Sequence, residues 1–265
     1  MGFSLDNIEI ESVIRRMPVF VLVVFRMSGI FFAAPLFSHA SFPVSIKIAF
    51  AFFLSLIVFH TVQTDPAELP NNLISFGLLA FKEVAVGAIL GFFGALVFLV
   101  FSLAGSTAGR QIGLEMASTL SPGSELGDSL FGSVYYLTAL VVILALNGHH
   151  WFIKALAFSY KAVPLGGFSF TPKLAYKMVD SFSIYFSLGI KMAAPFIIIG
   201  FLTLIIVGIV LQVTHQTNLF VLELPMKSLV GFLLFFLSAP FIIFFMKNIF
   251  GPLQNELVGL LKFLR

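Results

Sequence analysis

Cysteine is absent from the 265-residue chain, which excludes disulfides, thiolate metal sites and a cysteine nucleophile. Charged side chains are scarce as well: they make up 10% of the residues, against roughly 25% in an ordinary soluble domain. The 15 basic and 12 acidic residues form no polybasic cluster. The sequence therefore gives no support to nucleic-acid binding.

Tryptophan and tyrosine are also rare, with one Trp and five Tyr beside 35 Phe. Membrane proteins usually concentrate Trp and Tyr at both bilayer interfaces, so this composition indicates an unusual membrane setting. Apolar residues are abundant, at 59% of the chain with a mean hydropathy of +1.07. The sequence therefore predicts an integral membrane protein of apolar helices, and it argues against an enzyme.

Six apolar segments are separated by polar stretches, at residues 17–37, 43–63, 72–105, 130–158, 181–212 and 226–250. One bilayer crossing needs about 20 residues, so the third and fifth segments exceed a straight crossing. Pro195, inside the fifth segment, removes a backbone donor and predicts a kink. We predict an all-α membrane protein with about six hydrophobic segments forming tilted, partly broken helical hairpins.

Basic residues in the connecting segments indicate an orientation. Under a six-span topology Arg110 stands alone on one side, and the other side carries Arg15, Arg16, Lys161, Lys173, Lys177, Lys262 and Arg265. The positive-inside rule then predicts that both termini are cytoplasmic.

Charged residues lie well inside apolar segments, among them Arg26, Lys82, Glu83 and Lys191. Each would cost roughly 2.5 to 3.5 kcal/mol at the centre of a lipid-facing helix, so we expect them to face protein or water. Neighbours on a helix point to different sides, so Glu83 does not simply neutralise Lys82. The excess of bases predicts partners on other chains. The alternative is that Lys82 and Lys191 snorkel or that their segments lie partly outside lipid.

Glycines recur at four-residue spacing, at Gly87 and Gly91 and again at Gly105, Gly109 and Gly113. This spacing lines small residues along one helix face, where a neighbouring backbone can approach closely. We predict that Gly87, Gly91, Gly105 and Gly109 are helix-packing sites. Hinge flexibility is the alternative.

A polar stretch at residues 110–129 lies between two apolar segments. Its backbone cannot face hydrocarbon with unpaired polar groups, so it is either a solvent loop or a re-entrant element lining an aqueous cavity. Catalytic and metal sites find no comparable support. His149 and His150 are adjacent and point apart on a helix, and Gly105-Ser106 has neither a hydrolase motif nor a base. No catalytic residue, metal or cofactor is predicted.

Several short motifs, taken in order, resemble the FliR family of flagellar type III export-gate proteins and its injectisome counterparts. They are Lys82-Glu83 followed by Gly87 and Gly91, Gly113-Leu-Glu-Met116, Asn147-Gly148-His149, Ser159 with Val163-Pro164-Leu165-Gly166, and Asn218-Leu219-Phe220-Val221 before Pro225. The resemblance covers about residues 10–250. It implies a non-catalytic core subunit of the export gate in the bacterial inner membrane, at the flagellar basal body.

The resemblance also implies partners and an internal organisation. The partners are FliP, FliQ and FlhB, together with unfolded flagellar subunits as cargo and membrane lipid. Within a single export-gate domain, residues 1–180 would be FliP-like and residues 181–265 a FliQ-like helical hairpin. The loop after the glycine-rich helix would plug the pore, which assigns this role to Gly113, Leu114, Met116, Leu120, Pro122, Gly123 and Gly127.

A secondary transporter is the alternative function, with Lys82, Glu83 and Lys191 as an intramembrane relay. Against it, the two halves of the sequence show no matched pair of interrupted segments. The sequence therefore favours the export gate.

Overall fold

The computed structural model of the chain describes residues 5–38, 43–62, 69–70, 72–113, 129–214 and 219–264. Within these ranges the regular structure is helical, which confirms the predicted all-α class. The α-helices are α1 (Leu5–Ala33), α2 (Pro35–Ser38), α3 (Val44–Phe59), α4 (Leu73–Ile112), α5 (Leu130–Ala145), α6 (Gly148–Ala162), α7 (Pro172–Thr214) and α8 (Leu219–Leu260), and a 3₁₀ turn follows at Leu261–Phe263.

Four helices in the described part are long and apolar enough to cross a membrane: α1, α4, α7 and α8. Counting the bent pair of α5 and α6 as one span gives five, and α3 is a shorter apolar helix of 16 residues. The predicted hydrophobic segments correspond to these five spans and α3. The chain is an all-α membrane protein, and in its described part four or five helices are long and apolar enough to cross a membrane.

The longest helices exceed the bilayer core. Helices α4, α7 and α8 contain 40, 43 and 42 residues. At 1.5 Å per residue each is about 60 Å long, roughly twice the hydrocarbon thickness. Helix α7 continues through Pro195. The bent pair is α5 and α6, and there Asn147 takes a φ of 57°.

The described chain forms two compact units whose segments alternate along the sequence. Unit 1 comprises Met1–Ala95, Gly148–Val179 and Pro252–Arg265. Its α1 and α3 pack through aromatic rings, with Phe20 in edge contact with Phe52 and Phe59 at 5.5 and 5.6 Å between centroids. The C-terminal segment contributes a fully buried apolar stripe: Leu253, Leu257 and Leu264.

Unit 2 comprises Leu96–Asn147 and Asp180–Gly251. It contains the second half of α4, helix α5, most of α7 and most of α8. Phe250 packs between Phe98 and Phe101 of α4, at 5.9 and 5.4 Å between ring centroids. Phe131 of α5 meets Phe235 of α8 edge to face at 4.9 Å. Aromatic contacts therefore hold this unit together.

The helices differ in how much of their apolar surface the chain itself covers. In the span window of α4, 67% of the residues are buried, against 28% in α7 and 17% in α8. The exposed positions of α7 and α8 are mostly Ile, Leu and Phe. In a membrane protein such surfaces meet lipid or other helices, and α7 and α8 both carry surface of this kind.

Candidate functional site

The candidate site is a buried ion pair inside unit 1. Arg26 of α1 and Glu83 of α4 both have fully buried side chains, and Arg26 Nε donates to Glu83 Oε2 at 2.5 Å. A charge removed from water is tolerated only when it is paired and hydrogen-bonded. The excess of bases in the apolar segments predicts partners on other chains, whereas Arg26 has its partner, Glu83, in its own chain.

Glycines let α1 and α4 come close enough for this pair to form. A Cβ on Gly87 would overlap the carbonyl oxygen of Arg26 and stand 2.9 Å from the backbone nitrogen of Ile30. A Cβ on Gly29, opposite, would stand 2.9 Å from the backbone nitrogen of Ala88. Only residues without a side chain fit this crossing. One turn further on, a Cβ on Gly91 would lie 2.5 Å from the Cβ of Ala33.

A third chain segment, the end of α6 and the turn after it, completes the coordination of the pair. Arg26 Nη1 donates to Ser159 Oγ at 3.2 Å and to the Val163 carbonyl oxygen at 3.0 Å. Glu83 Oε1 accepts from the backbone N–H of Gly166 at 2.7 Å. Gly166 has a φ of 76°, which favours glycine. The two charges therefore hold three segments together.

The ring of Tyr160 packs against the face of the Arg26 guanidinium. Its ring centroid lies 4.3 Å from Arg26 Cζ, in cation–π contact, and its hydroxyl donates to the Val23 carbonyl oxygen at 3.1 Å. Arg26 Nη2 makes no hydrogen bond to any described atom. We call Arg26, Glu83, Ser159, Tyr160 and the turn from Val163 to Gly166 the arginine cluster. Because Arg26 and Glu83 pair with each other inside unit 1, this cluster is suited to fixing helix positions.

Among the described residues, neither Lys82 nor Lys191 hydrogen-bonds to Arg26 or Glu83. Lys82 is half-buried, and its Nζ lies 3.4 Å from the Gly166 carbonyl oxygen. Lys191, on α7 in unit 2, is exposed. Glu83 is held by Arg26 and Gly166, so its carboxylate is already engaged.

The second pair of predicted packing glycines lies in unit 2. Gly105 is buried against α5, where a Cβ would stand 2.9 Å from Cα of Gly132. Gly109 is also buried. Gly113 follows the last residue of α4 with a φ of 83°. The other predicted plug residues, Leu114, Met116, Leu120, Pro122, Gly123 and Gly127, lie outside the described residues.

Sequence reasoning gave no role to Tyr160 or Gly29. Gly29 follows Arg26 by three residues, so both lie on one face of α1, and this spacing was an available signal. Tyr160 had no comparable signal, because its distance from Arg26 along the chain is 134 residues. Ser159 and the turn to Gly166 appeared only as family motifs. The structure brings them to the ion pair.

The fold defines a helical membrane protein in which a buried charge cluster connects α1, α4 and α6. Comparisons with known proteins identify its family. A family model described as bacterial export proteins, family 1, matches residues 17–253. The chain is 33% identical to flagellar biosynthetic protein FliR of Bacillus subtilis (strain 168) over 248 residues, which is 91% of this chain and 93% of that protein.

More distant relatives match over similar lengths. Flagellar biosynthetic protein FliR of Escherichia coli (strain K12) is 26% identical over 238 residues, 89% of this chain and 90% of that protein. Surface presentation of antigens protein SpaR of Shigella sonnei is 25% identical over 240 residues, covering 89% and 92%. The chain belongs to bacterial export proteins, family 1, and is a membrane component of a type III export apparatus. The resemblance to the FliR family is thereby confirmed.

Proposed function

We propose that the chain is a non-catalytic core subunit of the flagellar type III export gate in the bacterial inner membrane. The observation that carries this proposal is the match to FliR of B. subtilis, which extends over 91% of the chain. A match of that extent includes the arginine cluster and the polar stretch after α4. The relative at 33% identity is a flagellar protein, which supports flagellar cargo.

The proposal includes named partners, FliP, FliQ and FlhB, and unfolded flagellar subunits as cargo. Exposed apolar surface on α7 and α8 supports a role inside an assembly. In this assembly the chain would line part of the export pore. The loop that begins at Gly113 would form the plug of the resting pore, because its glycines allow a tight fold and its Leu and Met side chains exclude water.

A transporter relay has less support from the geometry. A relay needs groups that exchange protons or ions with a pathway. The Glu83 carboxylate is fully buried and engaged by Arg26 and by the N–H of Gly166. We therefore retain the export gate as the proposed function.

Complementation and co-purification test the proposal together. The chain is expressed with FliP and FliQ in a flagellated bacterium that lacks its own FliR. We expect a stable membrane complex of the three proteins and restored secretion of hook and filament subunits. A chain that purifies alone, or as a homo-oligomer that transports a small solute, would instead support the transporter.

A further inference from the structure

Helix α7 has one face covered by its own unit and one face uncovered. On the covered face, a Cβ on Gly189 would lie 3.4 Å from Cα of Val100 in α4, and Phe196 is buried. The uncovered face carries a line of apolar residues at seven-residue and fourteen-residue intervals, which are Ile184, Ile198 and Ile205, exposed by 49%, 58% and 43%. A seven-residue interval returns to nearly the same side of a helix.

Lys191 stands in this line, seven residues after Ile184 and seven before Ile198, and it is exposed. An ammonium group therefore lies within an apolar surface. Among the described residues, no hydrogen bond or ion pair involves Lys191. Its partner is to be sought outside this part of the chain.

Helix α7 itself offers Lys191 no acidic partner within reach. Residues 181–190 and 192–213 contain no charged side chain. The nearest acid on α7 is Asp180, eleven residues earlier and about 16 Å away along the axis. A lysine side chain is too short to cover that distance. No acid on α7 reaches Lys191, so a partner carboxylate would come from outside α7.

We propose that this face of α7, the line Ile184, Lys191, Ile198 and Ile205, receives an apolar helix of another export-apparatus subunit that carries an Asp or Glu opposite Lys191. Charge complementarity selects a carboxylate, and the flanking isoleucines select an apolar helix around it. The inference rests on the proposed multi-subunit assembly but on neither the plug nor the named partners.

The direction in which Lys191→Met changes assembly distinguishes this proposal from a lysine that faces lipid. In the purified complex, Lys191→Met leaves the partner carboxylate buried and unpaired, so we expect about tenfold less chain in the complex, or a larger loss. Lys191→Arg keeps the charge and should retain most of the complex. If Lys191 faced lipid, Met would be the better residue, and assembly would stay equal or rise. Lys161→Met, the same change at an exposed lysine of α6 outside this line, is the control and should change little.

Cross-linking of the wild-type chain tests the contact without any substitution. In intact membranes that contain the complex, a membrane-permeant carbodiimide activates a carboxylate, and the Lys191 amine displaces the urea to form an amide bond. We expect a peptide that joins Lys191 to an Asp or Glu of another subunit. A cross-link to a second copy of this chain, or none in the assembled complex, would overturn the inference and leave the export-gate function standing. Failure to assemble with any export subunit would overturn both.

Discussion

Single residues in the arginine cluster show why a charge is tolerated inside this protein. Arg26 contacts Glu83, Ser159, Tyr160 and the Val163 carbonyl, which come from α4, α6 and the turn after it. A buried ion pair adds little net stability, because desolvation offsets most of its attraction. Losing one partner is costly, since the other charge is left alone. The cluster therefore enforces one arrangement of its three segments.

The first prediction concerns Glu83→Gln. The amide keeps the size of the carboxylate but leaves the Arg26 charge uncompensated, so we expect the complex to lose about 3 to 5 kcal/mol of stability. Thermal unfolding of the detergent-purified complex measures it. Lys82→Gln is the control, because that side chain is half-buried and has one long contact. The double variant Arg26→Met, Glu83→Gln should regain much of the loss. Unchanged unfolding of Glu83→Gln would refute a stabilising ion pair.

The second prediction concerns the crossing of α1 and α4. Gly91→Leu should push the helices apart and reduce both assembly and export. Gly91→Ala should have a milder effect, since it adds only a Cβ. That Cβ would still stand 2.8 Å from the backbone nitrogen of Ala34, so some loss is expected. Gly77→Leu on the same helix is the control, since a Cβ at Gly77 meets no atom within 4 Å. An intact complex that no longer exports would identify Gly91 as a hinge.

At the scale of elements, the ends of helices carry the unusual backbone angles. Helix α4 stops before Gly113, which has a φ of 83°, and α5 and α6 are separated at Asn147, with a φ of 57°. Ser129 caps the start of helix α5: its hydroxyl accepts from the N–H of Gly132 at 3.2 Å. Such a cap stabilises a helix start by about 1 kcal/mol. Residues 114–128 thus follow a defined helix end and precede a defined helix start.

The third prediction concerns that stretch. A conduit wide enough for an unfolded chain would dissipate ion gradients at rest, so a displaceable barrier is required. Deleting residues 116–124, which removes Met116, Leu120, Pro122 and Gly123, should leave assembly largely intact and make the membrane leak ions or small solutes. Conductance, or growth in the presence of a small toxic solute, measures the leak in cells that express the whole complex. Wild-type tightness in an assembled deletion variant would place the barrier on another chain.

For the whole molecule, the uncovered surfaces of α7 and α8 and the charge of Lys191 predict dependence on partners. We expect the chain expressed alone to aggregate or be degraded, and co-expression with FliP and FliQ to restore it. Size-exclusion profiles and thermal unfolding in mild detergent compare the two preparations. A monodisperse, thermally stable monomer would count against this dependence.

The predicted division into a FliP-like part, residues 1–180, and a FliQ-like hairpin, residues 181–265, stays a prediction. The two compact units do not coincide with these predicted parts. Their segments alternate along the chain, and α4 passes from one unit to the other after Ala95. Contacts in space define these units. Likeness to other proteins defines the predicted parts.

The sequence by itself determined the all-α membrane class, because hydrophobicity and helix length are local properties that each segment carries alone. It also determined the export family, through short motifs in a fixed order. Neighbour spacing even suggested close helix packing at the glycines. Such inferences need no knowledge of which segments meet.

Only the tertiary structure decided which groups meet. Arg26 pairs with Glu83 across 57 positions of sequence and with Ser159 across 133, and no periodicity reaches that far. A sequence shows how many acids and bases the apolar segments contain but not which of them meet, so the excess of bases predicts partners on other chains. In a low-dielectric interior the interaction of two charges depends strongly on the distance between them. The Glu83 carboxylate, 2.5 Å from Arg26, therefore identifies the partner of Arg26, which the balance of acids and bases could not do.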